Sequence, residues 1–275
     1  MSDFGYDTDG DGWIDTVESD TNGDGWTDTV VDDANYDGVA DSAVVDTDGD
    51  GYADTGVADT NFDGYADTAA GDTDGDGFVD IAEADTNGDG YTDTVVDDAN
   101  YDGVADHVDA DTDGDGFVDT AIHDDNYDGF ADGVQVDTDG DGFSDSEAYD
   151  GDGDGVFETV SEDTDGDGVI DTAVVDSDGD GIFETAVVDA NNDGVIDGAV
   201  IDYDGDGVSD TVVADTDGDG SSDTIAGDTN EDGVVDVVAE DTTGEGYVDT
   251  AVVDTDYDGV ADVGVVDLGS GPFQA

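Results

Sequence analysis

The chain has no lysine, no arginine and no cysteine, one proline and two histidines among 275 residues, and each shortage removes a class of behaviour. With no basic side chain, nothing internal neutralises the 83 acidic residues, and the formal charge is −83 at pH 7. Nucleic acid and anionic membrane surfaces need cationic side chains, so neither is expected as a direct partner. Contacts bridged by cations stay open. Without cysteine, disulfides contribute nothing to stability and say little about compartment. No apolar run approaches the length of a spanning helix, so membrane insertion is not expected. The opening Met-Ser-Asp-Phe-Gly-Tyr has neither the basic nor the apolar region of a secretory signal, and export by this N-terminus is not expected. The protein is then cytoplasmic, leaves by a route that reads another signal, or lacks a leader. Self-repulsion at this charge opposes compaction, and an acidic, glycine-rich composition predicts disorder when no counter-ion is bound.

A strict phase stands against disorder. Aspartate occupies every thirteenth residue from Asp7 to Asp267, which defines twenty full repeats of D-x-[DN]-x-D-G-Φ-x-D-T-[AV]-V-x, where Φ is apolar or aromatic. Position 6 is glycine in all twenty, from Gly12 to Gly259, and position 9 is always acidic. A segment repeating this regularly is an array with one shared local structure and chemistry. Residues 1–6 lead in, 7–266 form a single repeat domain, and 267–275 form a tail holding the only proline, Pro272. Residues 85–106 nearly duplicate residues 20–41, and position 4 is enlarged at Tyr36, Phe62, Tyr101, Tyr127, Asn192, Glu231 and Tyr257. Both observations fit four 65-residue blocks.

Four positions of each unit carry side-chain oxygens suited to a cation. Position 1 supplies Asp7, Asp20, Asp33, Asp46, Asp59, Asp72, Asp85, Asp98, Asp111, Asp124, Asp137, Asp150, Asp163, Asp176, Asp189, Asp202, Asp215, Asp228, Asp241 and Asp254. Position 3 supplies Asp9, Asn22, Asn35, Asp48, Asn61, Asp74, Asn87, Asn100, Asp113, Asn126, Asp139, Asp152, Asp165, Asp178, Asn191, Asp204, Asp217, Asn230 and Asp256, with Thr243 the one departure. Position 5 supplies Asp11, Asp24, Asp37, Asp50, Asp63, Asp76, Asp89, Asp102, Asp115, Asp128, Asp141, Asp154, Asp167, Asp180, Asp193, Asp206, Asp219, Asp232, Glu245 and Asp258. Position 9 supplies Asp15, Asp28, Asp41, Asp54, Asp67, Asp80, Asp93, Asp106, Asp119, Asp132, Asp145, Glu158, Asp171, Glu184, Asp197, Asp210, Asp223, Asp236, Asp249 and Asp262. Unit 19, with Thr243 and Glu245, is expected to be the weakest site.

A hard cation takes about six to eight oxygens, and aspartates at 1, 3 and 5 of a tightly curled loop converge on one point. Glycine at position 6 permits the sharp turn. The loop D-x-D-x-D-G resembles the first half of the EF-hand calcium loop and the thrombospondin type 3 repeat, and the whole chain looks like the acidic calcium-binding tandem-repeat proteins of bacteria. The resemblance implies calcium, with the position-7 carbonyl and the position-9 acid as further ligands. Position 12, where an EF-hand glutamate closes the shell, is mostly valine or alanine here; Glu18 and Glu83 are exceptions. An acid from another repeat is therefore expected to complete each site, with cooperative binding along the array. About forty divalent ions, two per repeat, would nearly balance the 83 acids, and one to two calcium ions per repeat are expected.

Positions 7–13 are rich in valine, threonine and isoleucine and too short for a stable helix, so each predicts a short strand. The fold class expected is all-β. Loop-plus-strand repeats resemble, in architecture alone, the RTX parallel β-roll, which implies a calcium-stabilised parallel β-solenoid with two repeats per coil and residues 26 apart stacked. The alternative is an irregular calcium-wrapped array of the thrombospondin type 3 kind. Position 7 is apolar or aromatic in every unit except at Ser221, and is expected to enter a core or to cover its own ion.

No catalytic constellation stands out from twenty copies of one motif, so an enzyme is not expected. His107 and His123 read as drift. Threonines at positions 2 and 10 could form surface ladders that bind ice or glycan, or simply follow strand propensity. The expected function is a calcium-binding structural repeat protein, an extracellular or cell-surface spacer, adhesin or fibre component that folds on calcium. Alternatives are calcium storage or mineral nucleation, and an ice- or glycan-binding solenoid. Self-association or a surface glycan is the expected partner beyond calcium.

Overall fold

A computed structural model describes residues 2–266; the tail with Pro272 lies outside the described residues. The chain divides into two compact units, Met1–Gly142 and Phe143–Ala275. The first carries β1 Ser2–Tyr6, β2 Thr16–Asp20, β3 Thr29–Asp32, β4 Ser42–Val45, β5 Thr55–Ala58, β6 Thr68–Gly71, β7 Ile81–Ala84, β8 Thr94–Asp97, β9 His107–Ala110, β10 Thr120–His123 and β11 Gly133–Val136. The second carries β12 Ser146–Tyr149, β13 Thr159–Glu162, β14 Thr172–Val175, β15 Thr185–Val188, β16 Gly198–Ile201, β17 Thr211–Ala214, β18 Thr224–Gly227, β19 Val237–Glu240, β20 Thr250–Val253 and β21 Val263–Val266. The described residues contain no helix, and so none long and apolar enough to cross a membrane.

The all-β, thirteen-residue-repeat architecture stands as expected, with a different strand boundary and direction. From β3 onward the strand occupies positions 10–13 alone, with nine residues connecting it to the next, while β2 runs one residue further, through Asp20. Within each unit, consecutive strands pair antiparallel: Thr29 faces Val45 and Asp32 faces Ser42, and Thr172 faces Val188. The expected parallel pairing is thereby corrected. The expected parallel neighbour lay two repeats on, with a whole repeat as crossover, but each strand instead takes the next one in sequence, and a nine-residue connection between adjacent strands returns as a hairpin. Residues 1–6, expected as a mere lead, supply β1, which pairs with β2 in the same manner.

A meander sends successive loops to opposite edges of the sheet, so loops two units apart become neighbours on one edge. The expected 26-residue periodicity survives there. The position-1 N–H donates to the position-9 carbonyl two units earlier, as in Asp33 to Asp15 at 2.7 Å and Asp189 to Asp171 at 2.8 Å. Position 4 approaches position 2 or 3 of that earlier loop. The Thr8 hydroxyl lies 3.5 Å from the Tyr36 hydroxyl, and the Asn192 amide donates to Asp165. Position-7 rings lie against position-6 glycines, Phe78 against Gly103 and Phe117 against Gly142.

The antiparallel register also explains why the strands show no alternation. Position 10 faces position 13 and position 11 faces position 12, so both sheet faces receive the same mixture and neither requires a period of two. Most strand residues are only half-buried. Among the described apolar residues, only Ala121 is buried, whereas thirty aspartates and one glutamate are. All thirty-one lie at positions 1 and 9. Position 7, expected to enter a core, is exposed instead: Trp13 retains 75% and Tyr91 77% of its surface.

Each loop curls through two residues of left-handed backbone. Position 6 is glycine with φ between 78° and 101°, and position 4 has positive φ in every unit, including the seven enlarged residues from Tyr36 (φ 65°) to Tyr257 (φ 59°). Non-glycine residues there cost on the order of 1–2 kcal/mol. Space is not the constraint at Gly116, where an added Cβ meets nothing within 4 Å. Gly116→Ala should therefore destabilise the chain by about 1–2 kcal/mol through backbone strain alone. Chemical denaturation would read this, and an unchanged midpoint would mean that the loop does not hold the left-handed turn.

Candidate metal centre

Carboxylates build each loop by collecting its backbone N–H groups. In the first unit, Gly10 donates to Asp7 Oδ1 at 2.6 Å and Gly12 donates to Asp7 Oδ2 at 2.9 Å. Asp11 donates its N–H to Asp9 Oδ1 at 2.9 Å, and Trp13 donates to Asp11 Oδ1 at 2.8 Å. The pattern recurs along the chain, as in Gly114 and Gly116 on Asp111 and in Gly179 and Gly181 on Asp176. Aspartate and asparagine favour such local bonds to backbone two or more residues on. The side chains predicted as ligands are thus also the ones that fold the loop.

Position 9 closes the ring. Asp15 Oδ2 accepts from the N–H and the hydroxyl of Thr8, both at 2.6 Å. Thr164 on Asp171, Thr216 on Asp223 and Thr255 on Asp262 repeat the arrangement. Sequence reading missed this role. Position-2 threonines are exposed but turn their hydroxyls to position 9, and position-10 threonines face position 13 across the sheet, so the described residues form no unbroken threonine row. Strand propensity, the other reading of position 10, fits its place at the start of the strand. Where position 3 is asparagine, its amide donates to the other position-9 oxygen, as in Asn22 to Asp28 Oδ1 at 3.0 Å and Asn61 to Asp67 Oδ1 at 2.9 Å, except at Asn230, which donates to Asp232.

These bonds bring positions 1, 3 and 5 together, and in several loops position 9 with them. In Asp150, Asp152, Asp154 and Glu158, and again in Asp176, Asp178, Asp180 and Glu184, one carboxylate oxygen from each residue lies within 4.8 Å of the others. Asp7, Asp9 and Asp11 form a smaller group, as do Asp20, Asp24 and Asp28, and Asp46, Asp48 and Asp54. Eight more groups of at least three occur among the described residues. Each of the five groups named comes from a single loop. Across loops, the charge of Asp204, the acid at position 3 two units earlier, holds the Glu231 carboxyl above its ordinary value.

Whether these residues fit a cation is tested by their own unmet demands. Glu158 Oε1, Glu184 Oε1 and Asp171 Oδ1 are closed off from solvent and have no hydrogen-bond partner, although the other oxygen of Glu158, Glu184 and Asp171 is bonded. A buried, unpaired carboxylate oxygen is costly. An ion held by the loop would satisfy it, so the donor set fits a hard divalent cation. A cation there supplies the positive charge that the chain lacks, and this chain's own contribution is to hold the oxygens in place beforehand.

The electrostatics divide by position. The position-2 threonine hydroxyl holds Asp15, Asp54, Asp80 and Asp119 below the ordinary carboxylate value, against the opposing effect of burial. Burial pushes Asp74, Asp113 and Asp217 up, and neighbouring carboxylates add to it. Asp178 is raised first by Asp180 and then by burial, and Asp256 first by Asp258. In unit 19, burial acts upward on Asp241, but the N–H groups of Thr243, Tyr247, Gly246 and Glu245 together draw it down to about 2. Here the carboxylate turns to its own backbone.

Comparison with protein-family models, curated proteins and solved structures finds no match to the chain.

The two shifts have opposite signs in acid. Asp74, Asp113 and Asp217, raised above the ordinary value of 3.8, destabilise the metal-free fold when ionised, and that penalty lifts as pH falls through their raised values. Asp119 and Asp241 are lowered, so their stabilisation is full above 3.8 and is lost as pH falls through their lowered values, about 2 in the case of Asp241. The metal-free chain should therefore gain strand signal in far-UV dichroism on acidification from neutrality toward pH 4 and lose it toward pH 2. A steady loss from neutrality downward would contradict this assignment. Separately, Thr112→Val should raise the Asp119 pKa toward its ordinary value, read by NMR titration.

Proposed function

We propose that this chain is a calcium-binding structural repeat protein whose loops are closed by metal and which serves as an extracellular or cell-surface spacer, adhesin or fibre component. One observation carries the reading: the same loop recurs with buried carboxylate oxygens that no side chain of this protein can neutralise. Cations from solution are then part of the folded state, and metal affinity becomes folding free energy. Calcium suits the site better than magnesium, because a ring of flexible carboxylates with six or more oxygens matches its looser coordination. The ligands are those at positions 1, 3, 5 and 9. Extracellular calcium is plentiful enough for modules that bind with dissociation constants of about 10⁻⁴ to 10⁻³ M, and cytosolic calcium is not. The identical repeats give no locus for catalysis, so a non-enzymatic role is part of the proposal.

Calcium storage or mineral nucleation remains the second reading, favoured by the high ratio of carboxylates to chain length. It differs in one respect: storage needs no fold. Small-angle scattering and far-UV dichroism on one sample, first in EDTA and then with calcium, separate the two. The unfolded chain should have a radius of gyration of about 58 Å. Under the structural reading, calcium brings a steep contraction together with a strand signal, and equimolar magnesium does not. Ion uptake without contraction or strands would overturn it in favour of storage. Glu184→Gln should reduce calcium stoichiometry by one, whereas Thr243→Asp should strengthen the weakest loop.

A further inference from the structure

The loop clusters offer oxygen alone, and the only two imidazoles of the chain stand together on a sheet face of the first unit. His107 opens β9 and His123 closes β10, and the antiparallel register makes them direct partners. Their rings stack with centroids 4.7 Å apart and planes inclined by 21°. His107 has one cross-strand neighbour on each side, His123 and Asp97. Independent drift would have no reason to put the only other histidine at one of those two places. A further departure from the repeat converges on the same spot: position 12, usually valine or alanine, is Asp109. Two residues along a strand from His107, it shares the same face, and its Oδ1 lies 3.1 Å from His107 Nε2. That nitrogen is closed off from solvent and lacks an aligned hydrogen bond.

We propose that His107, His123 and Asp109, with Asp97 adjacent, form a site for one zinc-class ion, chemically distinct from the loop sites. Imidazole nitrogen is a preferred ligand of zinc and its neighbours in the transition series, and a hard ion such as calcium prefers oxygen. With its Nε2 unprotonated, His107 presents a lone pair beside the Asp109 carboxylate oxygen, and a cation would draw on both. Histidine χ2 is broad and roughly two-fold, so each half-buried ring can turn a nitrogen toward Asp109. Asp109 also lines an open cleft with Tyr91, Asp93 and Phe117, which gives an ion a path from solvent. The nearby carboxylates raise the local cation concentration.

Zinc titration of the full chain in excess calcium tests this, with the imidazole NMR signals as readout. Two histidines give two sets of signals. Both should move together and saturate at one equivalent of zinc, and magnesium should leave them unmoved. His107→Asn and His123→Asn should each weaken this binding roughly tenfold or more, with the far-UV spectrum unchanged. Asp109→Asn, a near-isosteric change, provides a third variant should either histidine variant fold poorly, and should also weaken zinc. Imidazole signals that stay fixed while zinc binds, or that titrate independently of one another, would overturn the proposal. So would zinc binding that is undiminished in the double histidine variant. None of these readouts depends on the loops being calcium sites, so the two proposals fail separately.

Discussion

The hydrogen bond from backbone N–H to aspartate carboxylate is the interaction on which everything else rests. Fully buried apolar side chains are nearly absent from the described residues, and the interior is instead a series of acidic loops at the sheet edges. Position 1 gathers the N–H groups of positions 4 and 6, and position 9 gathers those of positions 2 and 3 together with a hydroxyl. Such charge-assisted bonds are stronger than neutral ones, and they set the curl of the loop. That curl sets the nine-residue hairpin, and the hairpin sets the antiparallel sheet. The same bonds concentrate like charge at positions 1, 3 and 5, and this repulsion gives the loop its demand for a cation.

Local chemistry and backbone geometry agree at most positions of the repeat and conflict at a few. Glycine at positions 4 and 6 meets the left-handed turn without strain, whereas Tyr36, Phe62, Tyr101, Tyr127, Asn192, Glu231 and Tyr257 adopt it against their own preference. These are the positions that reach the loop two units away, through contacts such as Tyr36 with Thr8 and Asn192 with Asp165. Strain at position 4 is thus set against contact along the edge. The two-sided sheet is the other unusual element, since its exposed rings and half-buried strands are more than a solitary layer normally leaves in water.

Period, loop and strand type were legible in the sequence because each depends on residues within a single unit. Asp7 to Asp15 show the loop, and Thr172 to Val175 show the strand. Strand direction was harder to read, because Val169, Ile170 and Asp171 look as strand-like as the four residues after them and hide the true length of the connection. Trp13 and Trp26 suggested a core by type, although whether they meet one depends on a layer that sequence cannot display. The role of Thr8 and its equivalents was obscured by the β-propensity of threonine, and only the loop geometry directs the hydroxyl to Asp15. His107 and His123 are sixteen residues apart and meet only through the antiparallel register.

Within each compact unit, each strand pairs with the next, thirteen residues further on, and this has a consequence for how such a chain forms and changes. The separation between contacting residues is the same in each hairpin, so mean contact order relative to length falls as units are added. Closing any one hairpin costs the entropy of a nine-residue loop and no more, wherever it lies. Ordering can begin at any unit and spread to its neighbours, as in other nearest-neighbour arrays. A block copied in phase, such as the near-duplicate of residues 20–41 at 85–106, introduces no longer-range closure. Length in this architecture is therefore free to vary in whole units without a kinetic penalty that grows with the chain.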